Sequence, residues 1–140
     1  MTELNGLRIL VVEDEPILAD TLKLDLEAQG AIVLGPAPSV SKAIACIAEA
    51  EVIDAAVLDV KLRGENSFPI ASDLDRQDIP FVFLTGFDRS PVTLRFADIP
   101  VFEKPVDPDV LVAALRGEVD RKIAQRAAPG RSADRNRHRG

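Results

Sequence analysis

The 140-residue chain contains no Trp and no Tyr, and aromatic residues make up only 4% of it, so its core must be built from Val, Leu, Ile and Ala. Cys46 is the single cysteine, which excludes an internal disulfide; its neighbours Ala45, Ile47 and Ala48 mark it as a small core residue rather than a reactive thiol. No apolar run reaches 18 residues, and Met1 to Gly6 is polar rather than a charged-then-apolar leader. These absences predict a soluble, cytoplasmic protein with no membrane segment. There is also no internal repeat and no strand-to-strand hairpin signal. The length suits one domain and not two, and 46% hydrophobic content suffices to bury a core. The net charge of −6 is uneven: five Arg and one Asp give +4 to residues 126–140, leaving −10 for residues 1–125. An acidic body disfavours contact with nucleic acid phosphates. Around Pro129 and Gly130 the basic stretch has no apolar periodicity, so the sequence predicts a folded domain over 1–125 and a disordered tail over 126–140.

What the chain does have is a set of short apolar runs that stop on charge. Ala55-Ala56-Val57-Leu58 ends abruptly on Asp59, with Lys61, Arg63 and Gly64 beyond it. Such a run reads as a strand buried on both faces, as in a parallel sheet covered by helices. Leu7 to Val12 is a second strand and ends on Glu13-Asp14-Glu15-Pro16, where Pro16 suits a first helical turn because its missing N–H has no partner there to lose. Helical spacing then places Leu18, Leu22 and Leu26 inward, with Ile17, Thr21 and Leu24 beside them, until Gly30 stops the helix. Ala31 to Leu34 is a short strand closed by Gly35-Pro36. Ser39 caps a helix to about Ala50, with Val40, Ala43, Ile44 and Ile47 inward.

After the Asp59 to Ser67 loop, a helix to Arg76 presents Ile70, Ala71 and Leu74. Ile79 to Leu84 is another buried strand, ending on Thr85-Gly86. Phe87 to Phe96, interrupted by Pro91, predicts a short, irregular or mobile fourth helix. Pro100 to Phe102 is a brief strand leading into Glu103-Lys104-Pro105. Asp107 and Pro108 start a last helix that uses Val110, Leu111, Ala114, Leu115, Val119 and Ile123. Strand and helix alternate five times, the pattern of an α/β parallel sheet with helices on both faces.

In a parallel sheet the carboxyl ends of all strands share one edge. Glu13, Asp14, Asp59, Thr85 and Lys104 therefore converge, each from the end of a separate strand except the adjacent pair Glu13-Asp14. Singly, each has an ordinary structural explanation, such as a turn acid, a cap or a surface lysine. Together they ask for a cation, because crowded carboxylates repel, and hard oxygen ligands with room for water suit Mg2+ at about 2.0–2.1 Å. An Asp beside a metal can act as a nucleophile towards a phosphoryl group, whose spread charge then needs cations and donors such as Lys104 and Thr85.

The pieces Val11-Val12-Glu13-Asp14-Glu15-Pro16, Val57-Leu58-Asp59-Val60-Lys61-Leu62, Phe83-Leu84-Thr85-Gly86 and Glu103-Lys104-Pro105 together resemble the receiver domain of bacterial two-component response regulators. The resemblance runs from about Leu7 to Ile123. It implies a flavodoxin-like (βα)5 three-layer sandwich with sheet order 2-1-3-4-5, the order for which a receiver is a standard example. It also implies that Asp59 accepts a phosphoryl group from a histidine of a partner sensor kinase or phosphotransfer protein. Asp14 matches the direct Mg2+ ligand, Glu13 the acid that holds metal-bound water, and the main-chain carbonyl of Lys61 the remaining protein ligand. Thr85 matches the hydroxyl that bonds the phosphoryl oxygen and Lys104 the ammonium that pairs with it. Pro105 matches the cis-proline-type position that aims the lysine.

Two departures from the family pattern stand out. The position of the usual switch aromatic, three residues before the lysine, is Val101, and Phe102 follows it with the alternation of a strand residue facing the other way. Phe87, after Thr85-Gly86, completes a Phe-X-Thr-Gly-aromatic pattern that looks like a receiver subgroup frequent in alphaproteobacteria. The second departure is that only a short polar tail follows the last helix, which predicts a stand-alone receiver without a DNA-binding domain, acting on an unknown downstream protein or as a phosphate sink. It would be a self-phosphorylating phosphoacceptor rather than a turnover enzyme. Two other readings use the same elements. A haloacid-dehalogenase-type phosphatase would carry a second Asp two residues after the first, where this chain has Lys61. A phosphate-independent, receiver-like binding module would normally have lost Asp14, Asp59 or Lys104.

Overall fold

The computed structural model describes residues 2–86 and 90–127. In chain order they form β1 (Arg8–Val12), α1 (Pro16–Ala28), β2 (Ile32–Ala37), α2 (Val40–Glu49), β3 (Ala55–Asp59), β4 (Lys61–Leu62), β5 (Glu65–Asn66), α3 (Phe68–Arg76), β6 (Phe81–Thr85), α4 (Ser90–Arg95), β7 (Val101–Glu103) and α5 (Pro108–Ala127). Five strands make one parallel sheet in the order β2-β1-β3-β6-β7. With the small β4–β5 pair set aside, this is the predicted flavodoxin-like order 2-1-3-4-5. The chain reverses direction across the sheet between β1 and β3, the place where such sheets open a crevice at their carboxyl edge.

The apolar runs explain why the sheet is covered on both sides. Side chains alternate across a strand, so Ile9 and Val11, Ala55 and Val57, and Val82 and Leu84 face one way. Leu22 and Leu26 of α1 and Leu111, Leu115 and Val119 of α5 close over them. Leu10 and Val12, Ala56 and Leu58, and Phe81 and Phe83 face the other way, against Ala43 and Ile47 of α2, Ile70, Ala71 and Leu74 of α3, and Val92 of α4. Val101 joins this second face, while Phe102 packs against the first, as the alternation in the sequence requires.

Several local readings are corrected. Leu4, in the segment read as polar, is fully buried; backbone bonds from Leu4 to Gln29 and from Gly6 to Gly30 tie that segment to the α1–β2 corner. On α1, Ala19 takes an inward place, whereas Ile17 is 84% and Leu24 66% exposed. On α5, Val112 is buried while Val110 and Ile123 are exposed. In both helices the apolar residues outnumber the positions that reach the sheet. The sequence also shows no hairpin signal, yet β4 and β5 pair antiparallel around Arg63-Gly64, both at positive φ. Two residues a strand, with Lys61, Glu65 and Asn66 exposed, leave no apolar alternation to detect. The last helix runs through Ala127, and the remainder of the basic tail lies outside the described residues.

Gly35 and Pro36 do not close β2, which continues to Ala37. The pairing with β1 shifts between Leu10 and Val12 and resumes at Val12 opposite Ala37. Gly35 makes this possible, because at φ 88° a Cβ would lie 2.7 Å from the Ala37 nitrogen and 2.9 Å from the Val11 oxygen. Pro36 is tolerated because β2 is an edge strand, where a missing N–H breaks no inner ladder. The bulge brings the Ala37 carbonyl to the Glu13 N–H at 3.0 Å and so fixes the first acid beyond β1.

Gly64 provides an internal control, since it too has positive φ (85°) but nothing within 4 Å of an added Cβ. Gly64→Ala should cost only the left-handed backbone penalty, roughly 1–2 kcal/mol. Gly35→Ala should cost clearly more, above about 3 kcal/mol, since backbone clash adds to that penalty. Urea unfolding of the two variants checks this; equal losses would contradict the assigned role of the bulge.

Candidate functional site

The bulge, the strand ends and the parallel topology bring the predicted residues to one edge. Glu13 and Asp14 follow β1, Asp59 ends β3, Thr85 ends β6, and Lys104 follows β7. Glu13, Asp59 and Thr85 are almost wholly buried. One oxygen from each of Glu13, Asp14 and Asp59 lies within 4.8 Å of the others. The Lys104 Nζ donates to Asp59 Oδ2 at 2.7 Å and sits 3.2 Å from Glu13 Oε1. The Lys104 backbone N–H donates to the Thr85 carbonyl at 2.9 Å, and the bond from Lys104 to Pro105 is cis. A cleft of about 890 Å³ opens onto this edge, lined among others by Asp14, Asp59, Lys61, Thr85 and Lys104. The sequence reading therefore placed the carboxylates, the threonine and the lysine together, and the structure does so too.

Two of the three acids are held by backbone N–H groups. Glu13 Oε2 accepts the Glu15 N–H at 3.1 Å, and Asp14 Oδ2 accepts the Arg63 N–H at 3.0 Å. The second bond comes from the β4–β5 hairpin, which the sequence reading missed. Arg63, Asn66 and Phe68 also line the cleft, and Asn66 Oδ1 accepts the Phe68 N–H at 3.0 Å at the start of α3, where Ser67 makes no side-chain cap. The Gly64 turn position was the one signal in the sequence that could have revealed them. Phe87, the other residue singled out beside Thr85, lies outside the described residues.

The electrostatics follow from this packing. Burial pushes the Glu13 carboxyl up from 4.5 to about 7, aided by the charge of Asp59 and opposed by the Glu15 N–H and by Lys104. Burial alone would lower the Lys104 ammonium; its hydrogen bond to Asp59 and the charges of Asp59 and Glu13 outweigh this and raise it. Glu13 Oε1 is buried and faces Lys104 as an ion pair without a directed hydrogen bond. Three clustered carboxylates, one with spare capacity, against a single lysine make a donor set that fits a hard divalent cation such as Mg2+.

The fold and the edge chemistry together define a receiver domain, a phosphoacceptor signalling module and not a turnover enzyme. The chain belongs to this family: residues 9–116 match the family described as the response regulator receiver domain. It is 37% identical over 119 residues to the transcriptional regulatory protein TcrA of Mycobacterium tuberculosis, covering 80% of this chain and 46% of that protein. The chain spans about half the length of the curated relatives it matches. Among solved structures it resembles SdrG from Sphingomonas melonis Fr1, with TM-score 0.68 and 44% identity, covering 82% of this chain and 98% of that one. It is also similar to the BeF3-activated conformation of SdrG from Pseudomonas melonis Fr1, with TM-score 0.66 and 42% identity over 78% of this chain and 95% of that one. Among the described residues no helix is long and apolar enough to cross a membrane.

Glu13 yields a signed prediction for the metal-free protein. Its carboxyl titrates near 7 when folded against 4.5 otherwise, so the neutral form contributes stability that is complete below about pH 4.5 and lost as pH rises through about 7. Glu13→Gln should therefore gain on the wild type as pH rises, by up to about 3 kcal/mol at about 1.4 kcal/mol per unit. Denaturant unfolding in chelator at about pH 5 and pH 8 checks this, and a pH-independent difference would contradict it.

Proposed function

We propose that this receiver takes a phosphoryl group on Asp59 from a phosphohistidine of a sensor kinase or phosphotransfer protein, in the cytoplasm, and signals through a changed protein-binding face. The observation that carries the reading is the convergence of Asp59, Asp14 and Glu13 with Lys104 bonded to Asp59 at 2.7 Å. Glu13, Asp14, Asp59 and the main-chain carbonyl of Lys61 would hold Mg2+. When bound, the cation supplies charge neutralisation for the crowded carboxylates and the incoming phosphoryl oxygens.

The chain's own residues do the rest. An Asp59 carboxylate oxygen attacks phosphorus, and the phosphorus–nitrogen bond of the donor histidine breaks, its electron pair returning to the imidazole. Lys104, already beside Asp59 Oδ2, exchanges a carboxylate partner for a phosphoryl oxygen. Thr85, buried on the cleft wall, donates its hydroxyl to another. Because Lys104 follows β7 and its N–H holds the Thr85 carbonyl, the two respond together. That couples the site to β6 and β7, where Val101 opposes Phe83 and Phe102 opposes Leu84. Such a charge change biases a surface between two packings, which a downstream protein then reads.

The identity to SdrG, and the existence of a BeF3-activated conformation of SdrG, support a phosphorylation response here. The coverage of 98% and 95% of the two SdrG chains also supports the reading that this receiver works in its own right. Its place in the Phe-X-Thr-Gly-aromatic subgroup rests on Phe83-Leu84-Thr85-Gly86-Phe87 in the sequence, and its action by partner contact or as a phosphate sink is part of the proposal. Residues 1–125 are proposed as the receiver unit.

Asp59→Ala should keep the fold, by circular dichroism, and take up no phosphoryl group from acetyl phosphate with Mg2+, by intact mass. Wild-type protein should gain one. Phosphorylation of a folded Asp59→Ala variant would contradict the assignment.

A further inference from the structure

The cleft has two chemically different walls. Its floor carries the acids and Lys104, whose ammonium is already engaged by Asp59 and Glu13. The β4–β5 hairpin forms the rim: Leu62 is buried in the core, while Lys61 on β4 and Arg63 in the turn are exposed. Both line the cleft. Among the described residues neither side chain has an ion pair or hydrogen bond. The tip is nevertheless fixed over the floor, because the Arg63 backbone N–H donates to Asp14 Oδ2 at 3.0 Å and leaves its guanidinium uncommitted. A phosphodonor arrives with a multiply charged phosphoryl group at a cleft whose acids include Asp14, Glu15 and Asp59, so two unengaged cations at the rim offset part of the repulsion it meets.

We propose that Arg63, with Lys61 beside it, is the donor-recognition element of this receiver: its guanidinium draws in and orients the donor's phosphoryl oxygens before transfer to Asp59. The inference rests on the reading of Asp59 as phosphoacceptor. A planar fork of donors suits phosphoryl oxygens better than a point charge alone. Arg63 acts on the approach of the donor and not on bond making. The transfer itself is unchanged: Asp59 Oδ bonds to phosphorus as the donor's P–O or P–N bond breaks, and the acyl carboxylate or imidazole leaves with the electron pair.

The test compares wild type, Arg63→Gln and Arg63→Lys in phosphorylation by acetyl phosphate and by phosphoimidazole with saturating Mg2+, as second-order rate constants against ionic strength. Asp59→Ala serves as the control for the underlying reading: if it too is phosphorylated, that reading fails, whatever Arg63 does. All Arg63 variants keep the backbone N–H to Asp14, so Mg2+ affinity should not change. Arg63→Gln should slow both donors about three- to tenfold at low salt and flatten the salt dependence, and Arg63→Lys should recover much of the rate. Unchanged rates and salt slope in Arg63→Gln would overturn the proposal. So would an equal loss in both variants with weakened Mg2+ binding, which assigns the effect to hairpin geometry. A loss confined to acetyl phosphate would also overturn it, because the contact would then be with the acyl leaving group.

Discussion

Three carboxylates packed at the edge of one sheet cannot all be ionised and dry without a compensating charge, and Lys104 is the compensation the fold provides. Its ammonium lies between Asp59 Oδ2 at 2.7 Å and Glu13 Oε1 at 3.2 Å. One lysine cannot balance Glu13, Asp14 and Asp59 together, and burial pushes Glu13 towards its neutral form in response. The site is thus held in electrostatic deficit. A divalent cation would relieve it, and under the proposed function a phosphoryl group on Asp59 would redistribute it. Both would act on the same lysine, which makes Lys104 the point where chemistry at β3 reaches β7.

The remainder of the architecture keeps those charges together. Parallel strands buried on both faces put every carboxyl end on one edge, and the order β2-β1-β3-β6-β7 makes the two acid-bearing strands neighbours. Two apolar layers fix the sheet, one under α1 and α5 and one under α2, α3 and α4. The Gly35 bulge and the β4–β5 hairpin then supply the last adjustments: the first positions the Glu13 backbone, the second holds Asp14 through the Arg63 N–H. The hairpin adds only Leu62 to the core, and both features also act directly on the acids of the site.

This division explains what could be read in the sequence. Apolar runs ending on Asp59, Thr85 and Glu13-Asp14 carried strand, burial and site in a single pattern, because a doubly covered strand leaves no doubt about which residue first meets the crevice. The α1 and α5 faces were only partly legible, since Ile17, Leu24, Val110 and Ile123 are apolar yet exposed and periodicity alone does not say which stripe meets the sheet. Gly35-Pro36 looked like a stop because composition reports conformational freedom and not the pairing that continues through it. The hairpin was hidden for the opposite reason: its order comes from Gly64, from Leu62 reaching the core and from one bond to Asp14, none of which produces an alternating pattern. Leu4 escaped notice as a lone apolar residue among polar ones, and its burial depends on the α1–β2 corner far along the chain.

The most direct test of the central claim is an amide NMR spectrum of the full chain recorded with Mg2+ and then with beryllofluoride, a mimic of the phosphorylated aspartate. The account predicts shifts at Asp14 and Asp59 on adding Mg2+, followed on adding beryllofluoride by changes at Thr85 and Lys104 that spread along β6 and β7 to Val101 and Phe102. A spectrum unmoved by both additions would contradict it and would leave the fold as a binding module that phosphate does not control.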